Sequence, residues 1–242
     1  MSKTLTPLKV LVTGISRGIG NAIAKKFLLE GHEVVGFDIL PDTVKAKSNW
    51  TFYRADVSDK TQLPELKGIN ILINNAGVSS EEDALAVNLL GYINVAEKYA
   101  FSPDIKSVLN INSIAAHSGI ELPLYCASQG GRQAYTKNLA LRLAKNGVTV
   151  NGISAGGIIT DWNKNILESE KLYAEVAGET LLGKWAAADE MADLAYFLTV
   201  INKSITGQDI IIDNGETAKY NYINDAQTLQ AFYSSAFKKV KE

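Results

Sequence analysis

The chain is poor in the residues that build disulfides and metal centres: one cysteine and two histidines in 242 residues. Cys126 has no partner for an internal disulfide and is expected to be a small packed residue without a redox role. His32 follows Gly31 and reads as a turn residue. His117, in the stretch between Ser113 and Tyr125, reads as a solvated loop histidine, with a place at the border of a substrate site as the alternative. Histidines and a cysteine scattered in this way form no metal-ligand pattern, so no metal is expected. Net charge is also scarce. Twenty-four basic residues against 26 acidic ones leave -2, which gives no electrostatic case for nucleic acid or an anionic membrane. Long apolar runs are absent, so no transmembrane helix is expected. The start MSKTLTPLKV lacks the apolar core of a secretory signal, and a cytoplasmic location is expected. The basic run Lys238, Lys239 and Lys241 reads as a solvated tail.

What is present is the composition of a soluble globular protein, 46% hydrophobic and 21% charged. The length suits one sizeable domain with a continuous core. Leu8–Val12 is a short β-branched run, broken by Thr13-Gly14-Ile15-Ser16-Arg17-Gly18-Ile19-Gly20. Ile19, Ile23, Phe27 and Leu28 then recur at helical spacing until Gly31. Glu33–Phe37 is a second apolar run, ending at Asp38. Further strands are expected at Thr51–Arg54, Ile69–Asn74, Ser107–Ile111, Val148–Ile153 and Asp209–Ile212, and helices at 82–101, 124–146, 166–178 and 188–200. This alternation predicts parallel pairing through right-handed crossovers. Continuous apolar strands predict a sheet covered on both faces. The expected fold class is α/β, a doubly wound Rossmann-type three-layer sandwich of about seven parallel strands in a single domain, residues 1–215. Residues 216–242 are expected to form a separate C-terminal helical extension, with Ala226, Leu229, Phe232, Tyr233, Ala236 and Phe237 as an apolar stripe to be covered by the core or by a neighbouring subunit.

Open α/β sheets bind ligands at the carboxyl ends of their strands, near the reversal of strand order. The glycine segment lies at that place. Gly14 permits a tight turn, and Gly18 and Gly20 leave room where backbone approaches a pyrophosphate and where helix meets strand. The free amides and partial positive charge of the helix N-terminus face the phosphates. Asp38 can accept hydrogen bonds from the adenosine ribose hydroxyls and repels a 2′-phosphate. It is followed by Ile39 rather than a phosphate-binding arginine, and NAD(H) is expected over NADP(H). Arg17 in the glycine turn is positioned to contact a phosphate.

Several ordered motifs resemble the short-chain dehydrogenase/reductase family, most closely its 3-oxoacyl-carrier-protein-reductase-like members. Thr13–Gly20 resembles the glycine motif. Asp56 and Val57 resemble the adenine-contacting pair, and Asn74-Asn75-Ala76-Gly77 the sheet-stabilising segment. Asn151–Thr160 resembles the stretch after the sixth strand, with Ala155 where the family has proline. The resemblance covers residues 8–215. It implies reversible interconversion of a ketone and a secondary alcohol by a homodimer or homotetramer built on the helices at 82–101 and 124–146. It assigns catalytic places to Ser113, Tyr125, Asn88 and position 129. Ser113 holds the substrate oxygen, Tyr125 is the general acid/base and Asn88 places a water on a proton path. The cofactor-binding set is Gly14, Ser16, Arg17, Gly18, Ile19, Gly20, Asp38, Asp56, Val57, Asn75, Ala76, Gly77, Tyr125, Gln129, Gly156, Ile158 and Thr160.

One departure bears on the chemistry. Family members carry lysine four residues after the tyrosine, one helical turn on, where its charge favours phenolate and its ammonium binds the nicotinamide ribose. Here that residue is Gln129, which keeps hydrogen-bonding ability without charge. Three explanations stay open: a substitution introduced into the chain, a divergent enzyme with altered or weak chemistry, or a nucleotide-binding regulatory protein that does not catalyse. Arg132, seven residues after Tyr125, has two readings: a side chain in solvent or at an interface, which is the default, and a cation that restores charge near the cofactor. Glu81-Glu82-Asp83 reads as charge suited to the start of its own helix. Trp162 and Trp185 either shape an apolar pocket or simply pack.

Overall fold

A computed structural model of the chain describes residues 6–44 and 48–219. The expected helical stripe between Ala226 and Phe237 and the basic run after it lie outside the described residues. The first β-α-β unit is β1 (Lys9–Thr13), α1 (Gly18–Leu29) and β2 (Glu33–Asp38). It is followed by β3 (Trp50–Arg54) and β4 (Ile71–Asn74). A π-helical stretch, Ala84–Gly91, runs into α2 (Tyr92–Tyr99) and on to β5 (Ser107–Ser113). Next come α3 (Ala115–Ser118), α4 (Pro123–Leu143) and β6 (Thr149–Ala155). The last part holds β7 (Ile158–Ile159), α5 (Lys164–Leu167), α6 (Glu170–Gly178), β8 (Ala186–Ala187), α7 (Ala188–Tyr196) and β9 (Asp209–Ile212).

Seven strands pair in the order β3-β2-β1-β4-β5-β6-β9, all parallel. The central strands are buried nearly end to end because helices lie on both faces. On one face α1 and α7 pack over Val10, Val12, Ile71, Ile73, Leu109 and Ile153. On the other, α2 and α4 cover Leu11, Val35, Leu72, Val108 and Val150. Strand order reverses at β1, which pairs with β2 on one side and β4 on the other. The crevice at the carboxyl ends of these strands is where a ligand fits.

The sequence expectation holds for the sheet and differs in detail. β5 and β6 each run two residues past their expected ends, and Ser113 pairs with Ala155 at the tips. Ala155 stays in register with Ser113 of β5 and Ile212 of β9. The helix expected at 82–101 begins as π-helix, and the one expected at 166–178 is two helices, the second capped by Ser169 accepting from Leu172 N at 3.3 Å. The pairing of β7 with β8 has no counterpart among the expected strands, since two residues are too short for any periodicity. His32 lies in the turn between α1 and β2, as expected, but turns its side chain into the core. Its ring is 1% exposed and lies between Phe27 and Tyr196, with centroids 5.8 and 5.9 Å away. Nδ1 accepts from Leu8 N at 3.1 Å, and burial pulls the ring's pKa down.

Candidate active site

The glycine loop closes over the end of β1. Gly14 sits at φ +72°, a conformation that favours glycine, and its amide donates to Phe37 O at 2.8 Å. A Cβ on Gly20 would stand 2.1 Å from Gly14 O, so α1 meets the loop only with glycine there. Asn75 locks the loop from β4: its Nδ2 donates to Thr13 O at 2.9 Å and to Gly14 O at 3.0 Å. The amides of Asn75 and Ala76 both donate to Thr13 Oγ1 at 3.0 Å. Asp38, at the tip of β2, accepts from Ser16 N at 2.8 Å through Oδ2 and from Leu40 N at 2.9 Å through Oδ1. Each carboxylate oxygen therefore holds one amide and keeps a lone pair for a further donor.

These groups open onto a cleft of about 640 Å³. Gly14, Arg17, Gly18, Ile19, Asp38, Asp56, Val57, Asn75, Ala76 and Gly77 line one part of it. Ser113, Tyr125, Asn88, Gln129, Gly156, Ile158 and Thr160 line the rest. Ser16 and Gly20 do not line it: Ser16 acts from behind by holding Asp38, and Gly20 by letting α1 approach. Asp56 turns its carboxylate onto Ser58, accepting from its amide and hydroxyl at 2.8 and 2.7 Å.

Tyr125 lies in the first turn of α4. No residue preceding that helix caps it from its own sequence. Glu81, from the loop before the π-helical stretch, accepts from Leu124 N at 2.8 Å and Tyr125 N at 3.4 Å. Glu81 therefore serves the tyrosine's helix rather than the one it precedes. Burial pushes the Tyr125 phenol up, against the opposing pull of the Ser113 hydroxyl and the Arg132 charge. Asn88 is fully buried within the π-helical stretch. Its Oδ1 accepts from Val78 N at 2.8 Å, and its Nδ2 donates to Val78 O at 2.9 Å. Both ends of the amide are thus committed to the backbone beside Gly77. Gln129 is 2% exposed, and its Oε1 has no partner among the described residues.

Arg132 departs from its default reading. It is 2% exposed, lines the cleft and lies 4.9 Å over the Tyr92 ring. His117 is exposed, as the default reading expects, and does not line the cleft, but its ring is held by partners. It stands on α3, its Nε2 2.8 Å from Asp209 Oδ2, 3.3 Å from Ser154 Oγ and 3.0 Å from Gln133 Nε2. Trp162 and Trp185 both line the cleft. Trp162 is 47% exposed with Arg17 5.7 Å over its ring, whereas Trp185 is buried edge-on against Tyr173 and fills the space beside Gly157. Glu216, a half-buried cleft carboxylate whose pKa burial raises, had no sequence signal, since it follows the last expected strand without a motif. Among the described residues no group of three or more His, Cys, Asp or Glu could hold a metal ion, and no helix is long and apolar enough to cross a membrane.

A dinucleotide fits these residues: loop amides for its diphosphate, Asp38 for a ribose, and an orphaned buried acceptor on Gln129 for ribose hydroxyls at the tyrosine end. A family profile described as Enoyl-(Acyl carrier protein) reductase matches residues 14–217. The 3-oxoacyl-(acyl-carrier-protein) reductase FabG of Chlamydia pneumoniae is 30% identical over 249 aligned positions, covering 90% of this chain and 100% of that protein. A protein of Agrobacterium tumefaciens described as a 2-deoxy-d-gluconate 3-dehydrogenase, solved with bound NADP, superposes with a TM-score of 0.81 at 27% identity, covering 89% of this chain and 98% of that one. The ligand-free aldohexose dehydrogenase of Thermoplasma acidophilum shares the fold at a TM-score of 0.81 and 24% identity, over 91% and 98% of the two chains. Sheet order, glycine loop and a profile match that takes in all but the ends of the sequence agree, and the chain belongs to the short-chain dehydrogenase/reductase family of oxidoreductases.

Proposed function

We propose that the protein is an NAD(H)-dependent oxidoreductase that interconverts a ketone and a secondary alcohol, with Tyr125 as general acid/base. The observation that carries this reading is that Tyr125 and Ser113 line the same cleft as the glycine loop and Asp38. When bound, the nicotinamide ring supplies or takes up the hydride at the reacting carbon. Ser113, at the tip of β5, holds the substrate oxygen beside the phenol. Tyr125, kept neutral by burial, donates its proton to that oxygen in reduction and takes it back in oxidation. Asn88 fixes the Val78 backbone and so the floor under Gly77, and Gln129 contacts the nicotinamide ribose as a neutral group.

The preference for NAD rests on Asp38, whose carboxylate faces the ribose site and repels a 2′-phosphate. Arg17, the nearest cation in the loop, is stacked on Trp162. The small-molecule substrate enters beside Trp162 and Ile166. A homodimer or homotetramer would be built on α2 and α4.

A second reading, nucleotide binding without turnover, draws support from Gln129, which offers no charge where the family's lysine would stand. Fluorescence titration with NADH and NADPH, followed by turnover on a panel of ketones and secondary alcohols, separates the two. Tight NADH binding with turnover is expected, and Asp38→Ala should relax the preference for NADH. Tight binding with no turnover across the panel would support the second reading. An unchanged NADH/NADPH ratio in Asp38→Ala would remove the cofactor assignment.

A further inference from the structure

Arg132 carries an uncompensated charge in the interior. Among the described residues no carboxylate pairs with it. Its Nη2 makes one long contact with Asn74 O at 3.4 Å, and its Nε has no partner. A guanidinium stays protonated even where burial pulls its pKa down. A buried charge left without a counter-charge is strongly destabilising. A leucine or methionine would fill a core position at no such cost. The arginine therefore implies an anion nearby in some working state of the protein.

The geometry supplies one. Arg132 is seven residues after Tyr125 on α4, two turns or about 10 Å along the axis. Helical side chains lean toward the N-terminus, so the long arginine stem reaches back toward the tyrosine. It ends next to Gly77: a Cβ built there would stand 3.7 Å from Arg132 Nη1, in ordinary contact, and 3.2 Å from Asn88 Oδ1. The guanidinium thus ends beside the Gly77–Asn88 floor, in the same cleft as Tyr125 and Gln129. We propose that Arg132 is the cation that stabilises the Tyr125 phenolate, replacing in space the charge that position 129 lacks in sequence. This rests on the reading of Tyr125 as the proton-transfer group. When the phenol O–H bond breaks and its proton passes to the substrate oxygen, the negative charge left on the phenolate faces Arg132. Arg132 acts through Tyr125 and is a positioning residue in this sense.

Other charged and titratable groups face this pair. Glu121, from the segment before α4, and Cys126 on α4 both act to raise the Tyr125 pKa. Tyr92, on α2, lies under the guanidinium, and the Arg132 charge acts to lower the pKa of both tyrosines. Tyr92 is bonded to Thr136 at 3.0 Å and is shut off from solvent, so Tyr125 is the phenol that opens on the cleft.

The test is a direct titration of Tyr125, which needs no turnover. The ultraviolet signal of tyrosinate is followed against pH in the full-length protein, and the Tyr125→Phe titration is subtracted to isolate this phenol. Arg132→Met should raise the Tyr125 midpoint by about one pH unit or more, a tenfold loss of phenolate at fixed pH. Arg132→Lys should hold it near that of the starting protein, and adding Gln129→Lys to Arg132→Met should bring it back. The pH profile of kcat/KM should shift in parallel. Arg132→Gln keeps a donor for Asn74 O without charge and serves if the methionine variant fails to fold. If both neutral variants fail, Arg132→Lys decides, with a displaced midpoint counting against the proposal. An unmoved Tyr125 midpoint in a folded neutral variant would overturn it. A moved midpoint in a protein that binds NADH but turns over nothing would leave the Arg132–Tyr125 coupling standing and remove the assigned reaction instead.

Discussion

Tyr125 is set against its own ionisation by burial, and only the Ser113 hydroxyl and the Arg132 charge favour the phenolate. A neutral phenol is ready to act as an acid, so carbonyl reduction should be favoured toward neutral pH and alcohol oxidation should rise as pH increases through the tyrosine's pKa. Tyr125→Phe removes the proton without altering the packing and should lower kcat by about 10²–10⁴, the usual contribution of general acid/base catalysis, with NADH affinity little changed. Single-turnover rates with a reactive ketone would check this. At this scale the sequence was informative about identity and silent about direction. Asp38 was read from the end of an apolar run, whereas Ser113 and Tyr125 came only with the family resemblance; the fold brings all three to one cleft. The burial of Arg132 and His32 was not legible because a spacing of seven residues, or a neighbouring glycine, does not say whether a long or ringed side chain turns inward. That depends on the Tyr92 ring for the one, and on the pocket between Phe27 and Tyr196 for the other.

Among the elements, α4 carries Tyr125, Gln129 and Arg132, and its first turn is held from outside by Glu81. A carboxylate that accepts two free amides at a helix N-terminus contributes about 1 kcal/mol, and near the positive end of the helix its charge adds to that. Glu81→Ala should lower Tm by about 2–4 °C, with a fall in kcat as the tyrosine's turn loosens, whereas the exposed neighbour Glu82→Ala should change neither. Calorimetry and steady-state kinetics on the two variants would test this. From sequence, Glu81 looked like charge for its own helix, because dipole arguments see only neighbours along the chain. The strands were legible almost to the residue where apolar runs end in Asp, Asn or Gly. The π-helical stretch was not legible, since one extra residue in a turn leaves the apolar spacing nearly unchanged. The stretch bearing Asn88 is the one that puts this asparagine against Val78.

On the scale of the molecule, His32 ties the sheet to its outer layer. It accepts from Leu8 N ahead of β1 and packs on α1 through Phe27 and on α7 through Tyr196. Its pKa is depressed from 6.5 by burial. The unfolded chain therefore binds this proton at a higher pH than the folded one. Stability rises with pH across that window: the contribution is fully present above about 6.5 and is lost as pH falls below it. Protonation would also turn Nδ1 into a donor facing the Leu8 amide. Thermal unfolding between pH 7.5 and 5 should show a drop in Tm that His32→Gln flattens, at the expense of a lower Tm at pH 7.5. The parallel pairing followed from the alternation of strands and helices through right-handed crossovers, whereas the order of the strands is seen only in the structure.

Of the three tryptophans, Trp162 alone is largely exposed at the mouth of the cleft, and it bears the Arg17 guanidinium on its ring. Arg17 belongs to the loop that would receive a diphosphate. An arriving anion and the indole therefore compete for one cation, and the winner sets the indole's surroundings. The molecule thus carries its own optical gauge of occupancy. Adding oxidised coenzyme, which does not itself emit, should change the intrinsic emission, and Trp162→Phe should abolish that change while Trp50 and Trp185 go on emitting as before.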